Sequence, residues 1–256
     1  MKIKGGKINH RVPTGIPGFD ELVQGGLPTN STVLIAGSPG TGKSIFSMQY
    51  LINGCEIKEK GLYVTFEQTS EALVEQAQQF GWDLEKLQKN NLLKIKSIST
   101  EELTKTTIKE IEEIVIKNQI KRLVIDSLST LVINAPIYTA PTELSVEDVV
   151  GQNVIFSPPV IGDYIVKRFI YMFIERLKKL NCTTILISEA AENSEYITRD
   201  TLSEFACDGV ILITFESMGG EFSRSLIVRK MRQTKNNEDV HPLEISKKGI
   251  IVHKIE

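Results

Sequence analysis

Cysteine is scarce in this chain: Cys55, Cys182 and Cys207 are widely spaced and form no C-x-x-C pair. That excludes a disulfide framework and a thiolate zinc site, and it fits a reducing, cytoplasmic setting. No charge of one sign prevails. Thirty Lys and Arg stand against 32 Asp and Glu, for a formal net charge of −2, so no global positive field draws the chain to nucleic acid or to an anionic membrane. Long apolar runs are missing: nothing approaches the roughly 18 residues of a membrane span. The start, MKIKGGKINHRVPTG, lacks the apolar core of a signal peptide. Aromatic residues are few, and the single tryptophan, Trp82 in FGWDL, reads as a packing anchor rather than a base-stacking platform. His10, His241 and His253 are scattered without ligand spacing, so no metal is assigned to them. Internal repeats and low-complexity tracts are absent.

What is present is a chain of 256 residues, 41% hydrophobic, enough for one large domain with a sizeable core. Short β-branched runs alternate with longer amphipathic ones. TVLIA (32–36) precedes a helix at 43–55, and GLYVTF (61–66) precedes a helix at 70–80. LLKIKSI (92–98) is followed by a helix at about 101–118, then RLVID (122–126), a helix at about 161–180 and TTILIS (183–188). The strands are apolar throughout, as a parallel sheet covered on both faces requires. GVILITF (209–215), RSLIVRKM (224–231), LEIS (243–246) and GIIVHKI (249–255) follow with short turns between them and predict an antiparallel edge. Residues 134–165 break the rhythm. They hold four prolines and four acids with no Lys or Arg, which predicts a long loop inserted in a single domain spanning 1–256.

GSPGTGKS (37–44) matches G-x-x-x-x-G-K-[ST], with a buried strand before it and a helix after it. Ser38, Gly40, Thr41 and Gly42 offer backbone N–H groups to a phosphate, Pro39 among them shapes the turn without a donor of its own, and the helix N-terminus beginning at Lys43, Ser44 and Ile45 adds partial positive charge. Lys43 reaches β- and γ-phosphate oxygens, and Ser44 is a ligand for Mg²⁺. The nucleotide is read as ATP. Parallel strands deliver their C-terminal ends to one edge, where ligands bind. RLVID brings Asp126 there, suited to holding Mg²⁺ through water or else to capping the next turn. GLYVTFE brings Glu67, either a base that polarises the attacking water or an N-cap of the following helix. TTILISE brings Ser188 and Glu189, which sense the γ-phosphate, orient water or simply begin a loop.

Several of these segments resemble the KaiC branch of the RecA-like ATPases. TGIPGFDELVQGGLP (14–28) is similar to that family's lead-in G-x-x-x-F-D-x-x-x-x-G-G-L-P. The likeness continues through YVTFEQ (63–68), FGWDLEKL (80–87), VIDSLSTL (124–131) and LIVRKMRQTKNNEDVHPLEISKKGIIV (226–252). It implies an α/β RecA-like P-loop fold with a mostly parallel central sheet flanked by helices, and a homo-oligomeric ring, commonly a hexamer, with ATP between subunits. Glu67 matches the catalytic glutamate, and Gln68 stands where the family often has a second acid. Lys230 and Arg232 in KMRQT match residues that reach a neighbour's ATP; a solvated strand face is the alternative. The family's clock protein has two such domains, and a circadian role does not follow for one.

Three functions fit: a ring-forming ATPase that regulates a protein partner, a DNA-binding ATPase of the recombination type, and a kinase with a protein acceptor. The −4 charge of residues 134–165 opposes a polyanion. VEDVV and NVIF in that segment suit burial against a protein surface, either a partner's or the domain's own. Arg224, Arg229, Lys230, Arg232 and Lys235, with Lys2, Lys4, Lys7 and Arg11, are the local basic residues on which a DNA reading rests.

Overall fold

The computed structural model describes residues 10–135, 158–190, 197–218 and 221–255. At the start, β1 (Arg11–Val12) pairs antiparallel with β2 (Leu27–Pro28), and a one-turn helix α1 (Phe19–Leu22) lies between them. The lead-in motif is structural here. The Asp20 carboxylate accepts Thr14 N at 2.9 Å, Thr14 Oγ1 at 2.6 Å and Gly15 N at 3.0 Å, while Phe19 meets Phe46 edge-on at 5.1 Å.

The chain then runs β3 (Thr32–Gly37), α2 (Lys43–Glu56), β4 (Gly61–Thr65), α3 (Ser70–Gln78), α4 (Leu84–Lys89) and β5 (Leu93–Ser97). Next come α5 (Thr107–Asn118), β6 (Arg122–Asp126), α6 (Leu128–Ile133), α7 (Pro158–Lys178), β7 (Thr183–Glu189) and α8 (Ser203–Ala206). It finishes with β8 (Gly209–Met218), β9 (Glu221–Met231), β10 (His241–Ser246) and β11 (Gly249–Val252). Among the described residues the main sheet has nine strands in the order β11-β10-β9-β8-β3-β7-β6-β4-β5. The six from β8 to β5 are parallel, and β9, β10 and β11 form the antiparallel edge.

Successive strand side chains point to opposite faces. Val33, Ile35, Val124, Ile185 and Ile187 pack with α2 on one face, whereas Leu34, Leu123, Ile125 and Leu186 pack with α5 and α7 on the other. Both faces are therefore buried, which is why the strands read as unbroken apolar runs rather than as alternation.

Several boundaries differ from the sequence expectation. The 70–80 helix ends at Gln78, and Asp83, which accepts Lys86 N at 2.9 Å, caps a second helix over Leu84–Lys89. The 101–118 helix starts only at Thr107, after a 3-10 turn at Thr100–Glu102 boxed by Ser99 and Glu102. The end of the 134–165 segment is helical. Pro158 and Pro159 open α7, where a missing N–H is harmless because first-turn amides have no intrahelical partner. Residues 136–157, with VEDVV and NVIF, lie outside the described residues. Trp82 packs as expected, against Phe80 at 4.8 Å and beside Gly249.

Candidate active site

The register lays the strand ends side by side: Gly37 opposite Glu189, Asp126 opposite Ile187, and Thr65 opposite Asp126. With neighbouring strands about 4.8 Å apart, three spacings separate β3 from β4. Side chains leaving these ends therefore converge above one edge.

The loop between β3 and α2 is shaped by its glycines. Gly40 and Gly42 have φ of +79° and +106°, a region that side-chain-bearing residues seldom adopt. A Cβ on Gly37 would lie 2.4 Å from the Ile213 carbonyl oxygen. Gly42 occupies the N-cap of α2 without any side-chain cap, so the first-turn amides are left for an anion. Ser38, Pro39 and Gly40 form the outer rim, with Pro39 and Gly40 exposed, while Thr41 is buried and donates to Ser38 O at 2.9 Å. Ile45 packs on the apolar cluster. Lys43 folds across its own loop, its Nζ donating to the Gly37 and Ser38 carbonyls at 2.8 Å each. Burial lowers its pKa, and the charges of Asp126, Glu189 and Glu67 push it back up.

Asp126 is 4% exposed. Its Oδ2 accepts the Ser44 hydroxyl at 3.0 Å and the Tyr63 hydroxyl at 2.5 Å. Desolvation raises its pKa; the Tyr63 hydrogen bond opposes that, and the nearby Glu67 charge adds to it. A buried carboxylate pressed towards protonation, beside a serine hydroxyl, is an oxygen donor set that suits Mg²⁺. Capping falls to its neighbour: Ser127 is the N-cap of α6 and accepts Thr130 N. The peptide joining Asp126 to Ser127 is cis.

Glu67 stands exposed just past β4. Its Oε1 accepts the Ser127 hydroxyl at 2.5 Å and the Thr130 hydroxyl at 3.1 Å. It does not cap the next helix, because Thr69 does, accepting Ala72 N at 3.2 Å. Ser188 meets the Ser129 hydroxyl at 3.3 Å, Glu189 N donates to Ser129 Oγ at 3.0 Å, and Arg199 pairs with the Glu189 carboxylate at 3.0 Å.

Lys230 and Arg232 are not brought to this edge. Lys230 pairs with Val210 and Gly209 pairs with Val33, so both cations sit beside the beginning of β3, at the far end of the sheet from the phosphate loop. Lys230 Nζ donates to the Glu204, Phe205 and Cys207 carbonyls, and Arg232 pairs with Asp208 at 2.9 Å. Distance along the strand thus separates both from their own chain's phosphate loop.

Sequence reading missed Tyr63, Ser127, Thr130 and Ser129, because no spacing rule ties a hydroxyl on one strand to an acid on another. Arg224 stood out only as a charge. It lies on the phosphate-loop edge, its guanidinium 3.3–3.4 Å from Gly40 O and 4.6 Å from the Phe215 ring centre.

A nine-stranded sheet, a glycine-rich phosphate loop on its central strand, and acids on the two strands beyond its neighbour define a P-loop ATPase fold of the RecA type. The chain belongs to the KaiC ATPase family, whose model matches residues 12–140 and 161–256. It is similar to a UPF0273 protein of Thermotoga maritima, 32% identical over 96% of this chain and 97% of that protein. A UPF0273 protein of Pyrococcus furiosus is 34% identical over 95% of this chain and 94% of its own length. The circadian clock oscillator protein KaiC of Prochlorococcus marinus is 31% identical over 94% of this chain, which spans 45% of that protein. The crystal structure of a KaiC-like protein from Pyrococcus horikoshii superposes with a TM-score of 0.78 at 30% identity, covering 96% of this chain and 99% of that one.

Proposed function

We propose that this chain is a single-domain, Mg²⁺-dependent ATPase that works as a homo-oligomeric ring, of hexameric size as the family suggests, and passes its nucleotide state to a protein partner in the cytoplasm. The observation that carries the reading is the convergence of Lys43, Ser44, Asp126 and Glu67 on one sheet edge. Lys43 exchanges two backbone carbonyls for β- and γ-phosphate oxygens, so its charge is already poised over the loop. Ser44 and Asp126 hold Mg²⁺, which when bound supplies positive charge to the β- and γ-phosphate oxygens. Glu67 takes a proton from the water that attacks the γ-phosphorus, and the Ser127 and Thr130 hydroxyls keep its carboxylate oriented. Ser188 and Glu189 line the same edge as γ-phosphate neighbours. Lys230 and Arg232 serve a neighbouring subunit's nucleotide.

The protein-partner reading is favoured over DNA because the basic cluster at 224–235 does not form one patch: Arg224 is at one sheet edge, Lys230 and Arg232 at the other. Among the described residues no helix is long and apolar enough to cross a membrane. Phosphoryl transfer to a protein hydroxyl would use the same residues, with the acceptor replacing water.

Phosphate release measured beside light scattering, with and without Mg·ATP, tests the proposal. Lys43→Ala should lose nucleotide binding, and Glu67→Gln should keep binding while turnover falls about 10²- to 10⁴-fold. Undiminished hydrolysis in Glu67→Gln would remove that residue from its role.

A further inference from the structure

Tyr63 lies in the middle of β4, 1% exposed, and its side chain joins the apolar cluster under α2. A phenylalanine would fill the same place. Yet its hydroxyl is directed along the sheet to Asp126 Oδ2 at 2.5 Å, onto the same oxygen that takes the Ser44 hydroxyl. Tyr63 pairs with Val124, and Asp126 is two residues further on the same face of β6, so the contact is a cross-strand diagonal fixed by register. Of the two groups in this contact the phenol carries the proton to give, so Tyr63 is the donor and the carboxylate oxygen the acceptor.

We propose that Tyr63 is a positioning residue for the metal site, locking the Asp126 carboxylate in the rotation that leaves its second oxygen for the Mg²⁺ hydration shell. The inference rests on the assignment of Ser44 and Asp126 to the metal. Ser44 must turn its oxygen lone pairs to the ion and keep its proton on Asp126. Two hydroxyls on Oδ2 then fix the carboxylate from one side, and only Tyr63 comes from a rigid strand rather than from the nucleotide-binding helix itself. Donors of this kind, one bond removed from the metal, set its affinity by holding the ligand in place.

Tyr63→Phe removes one oxygen and preserves the packing. The experiment titrates Mn²⁺, as an EPR-visible substitute for Mg²⁺, into each variant saturated with ADP, and separately measures ADP affinity in EDTA. Tyr63→Phe should weaken Mn²⁺ binding by about 10- to 100-fold with metal-free ADP affinity unchanged. Mn²⁺ affinity within about threefold of the parent overturns the proposal, as does an equal fall in metal-free ADP affinity, which would mark general damage. Asp126→Asn separates the two levels of inference. If it keeps parental Mn²⁺ affinity, the metal assignment itself fails; if it loses that affinity while Tyr63→Phe does not, only the role of Tyr63 fails. In the double variant the Tyr63 change should add nothing further, since its effect passes through Asp126.

Discussion

At the scale of single residues, the site is built from groups that the ligand-free fold would be better without. Asp126 is a nearly buried carboxylate whose pKa is raised, chiefly by desolvation. A carboxyl that holds its proton more tightly when folded makes the folded state less stable as pH rises. The loss sets in at the ordinary aspartate value of 3.8 and is complete above the raised one. The penalty is therefore greater at neutral pH than in acid. Asp126→Asn keeps an oxygen for Tyr63 and Ser44 while removing the charge, so it should stabilise the ligand-free protein by about 1 kcal/mol, or roughly 2–4 °C in thermal unfolding. The same variant should lose Mg·ATP turnover. A lower unfolding temperature for Asp126→Asn, measured at pH 7 without ligand, would show that the hydroxyls and Lys43 more than offset the burial of this charge.

Among the elements, β6 carries a buried charge at each end, Arg122 at its start and Asp126 at the phosphate-loop edge. At its beginning Arg122 is 0% exposed; its Nε bonds Glu59 at 2.7 Å, its Nη1 bonds Tyr50 O at 2.8 Å, and the guanidinium lies 4.7 Å from the Tyr50 ring centre. It fills the space that Gly54 leaves bare on α2, tying the phosphate-loop helix to the strand that delivers Asp126. Removing one partner of such a pair is worse than removing the charge itself, because the remaining ion is left buried without compensation. Glu59→Ala should cost about 3 kcal/mol in urea unfolding, and Arg122→Met should cost less. Equal losses would mean that Glu59, itself partly exposed, hands its role to water. The strand that holds these charges was readable in advance, as were β7 beside it and β3 beyond: RLVID, TTILIS and TVLIA are apolar without interruption because helices cover both faces. The phosphate loop was readable too, since one contiguous stretch carries it. What escaped was short or lateral. The 3-10 turn before α5 and the second helix at Leu84–Lys89 depend on the local caps Ser99 and Asp83, while α6 is capped by Ser127, whose hydroxyl serves both the cap and Glu67. The hydroxyl clamps on Asp126 and Glu67 join residues about 60 positions apart, and only the strand register puts them together.

Across the whole molecule, the two ends of the sheet are chemically unlike, and that difference bears on assembly. The phosphate-loop end presents Glu67, Asp126 and Glu189 around Lys43. The opposite end presents Lys230 and Arg232, with Phe205 58% exposed beside them. Arg232 shares Asp208 with Lys178, and the second oxygen of Asp208 accepts Thr32 N at the start of β3. The cations therefore stand on a support continuous with the strand that carries the phosphate loop. Unlike ends on one subunit suit a head-to-tail contact, which repeats and closes into a ring where the rotation permits. A subunit with Lys43→Ala has a dead site and intact cations; one with Arg232→Ala has an intact site and lacks one cation. In an equimolar mixture, random assembly makes about one quarter of the interfaces pair a live site with an intact Arg232. Phosphate release from the mixture should therefore recover to about a quarter of the parental rate per subunit, with each variant alone near background. A mixture no more active than the mean of its two components would place the action of Arg232 within its own chain's fold and remove the neighbour from the chemistry.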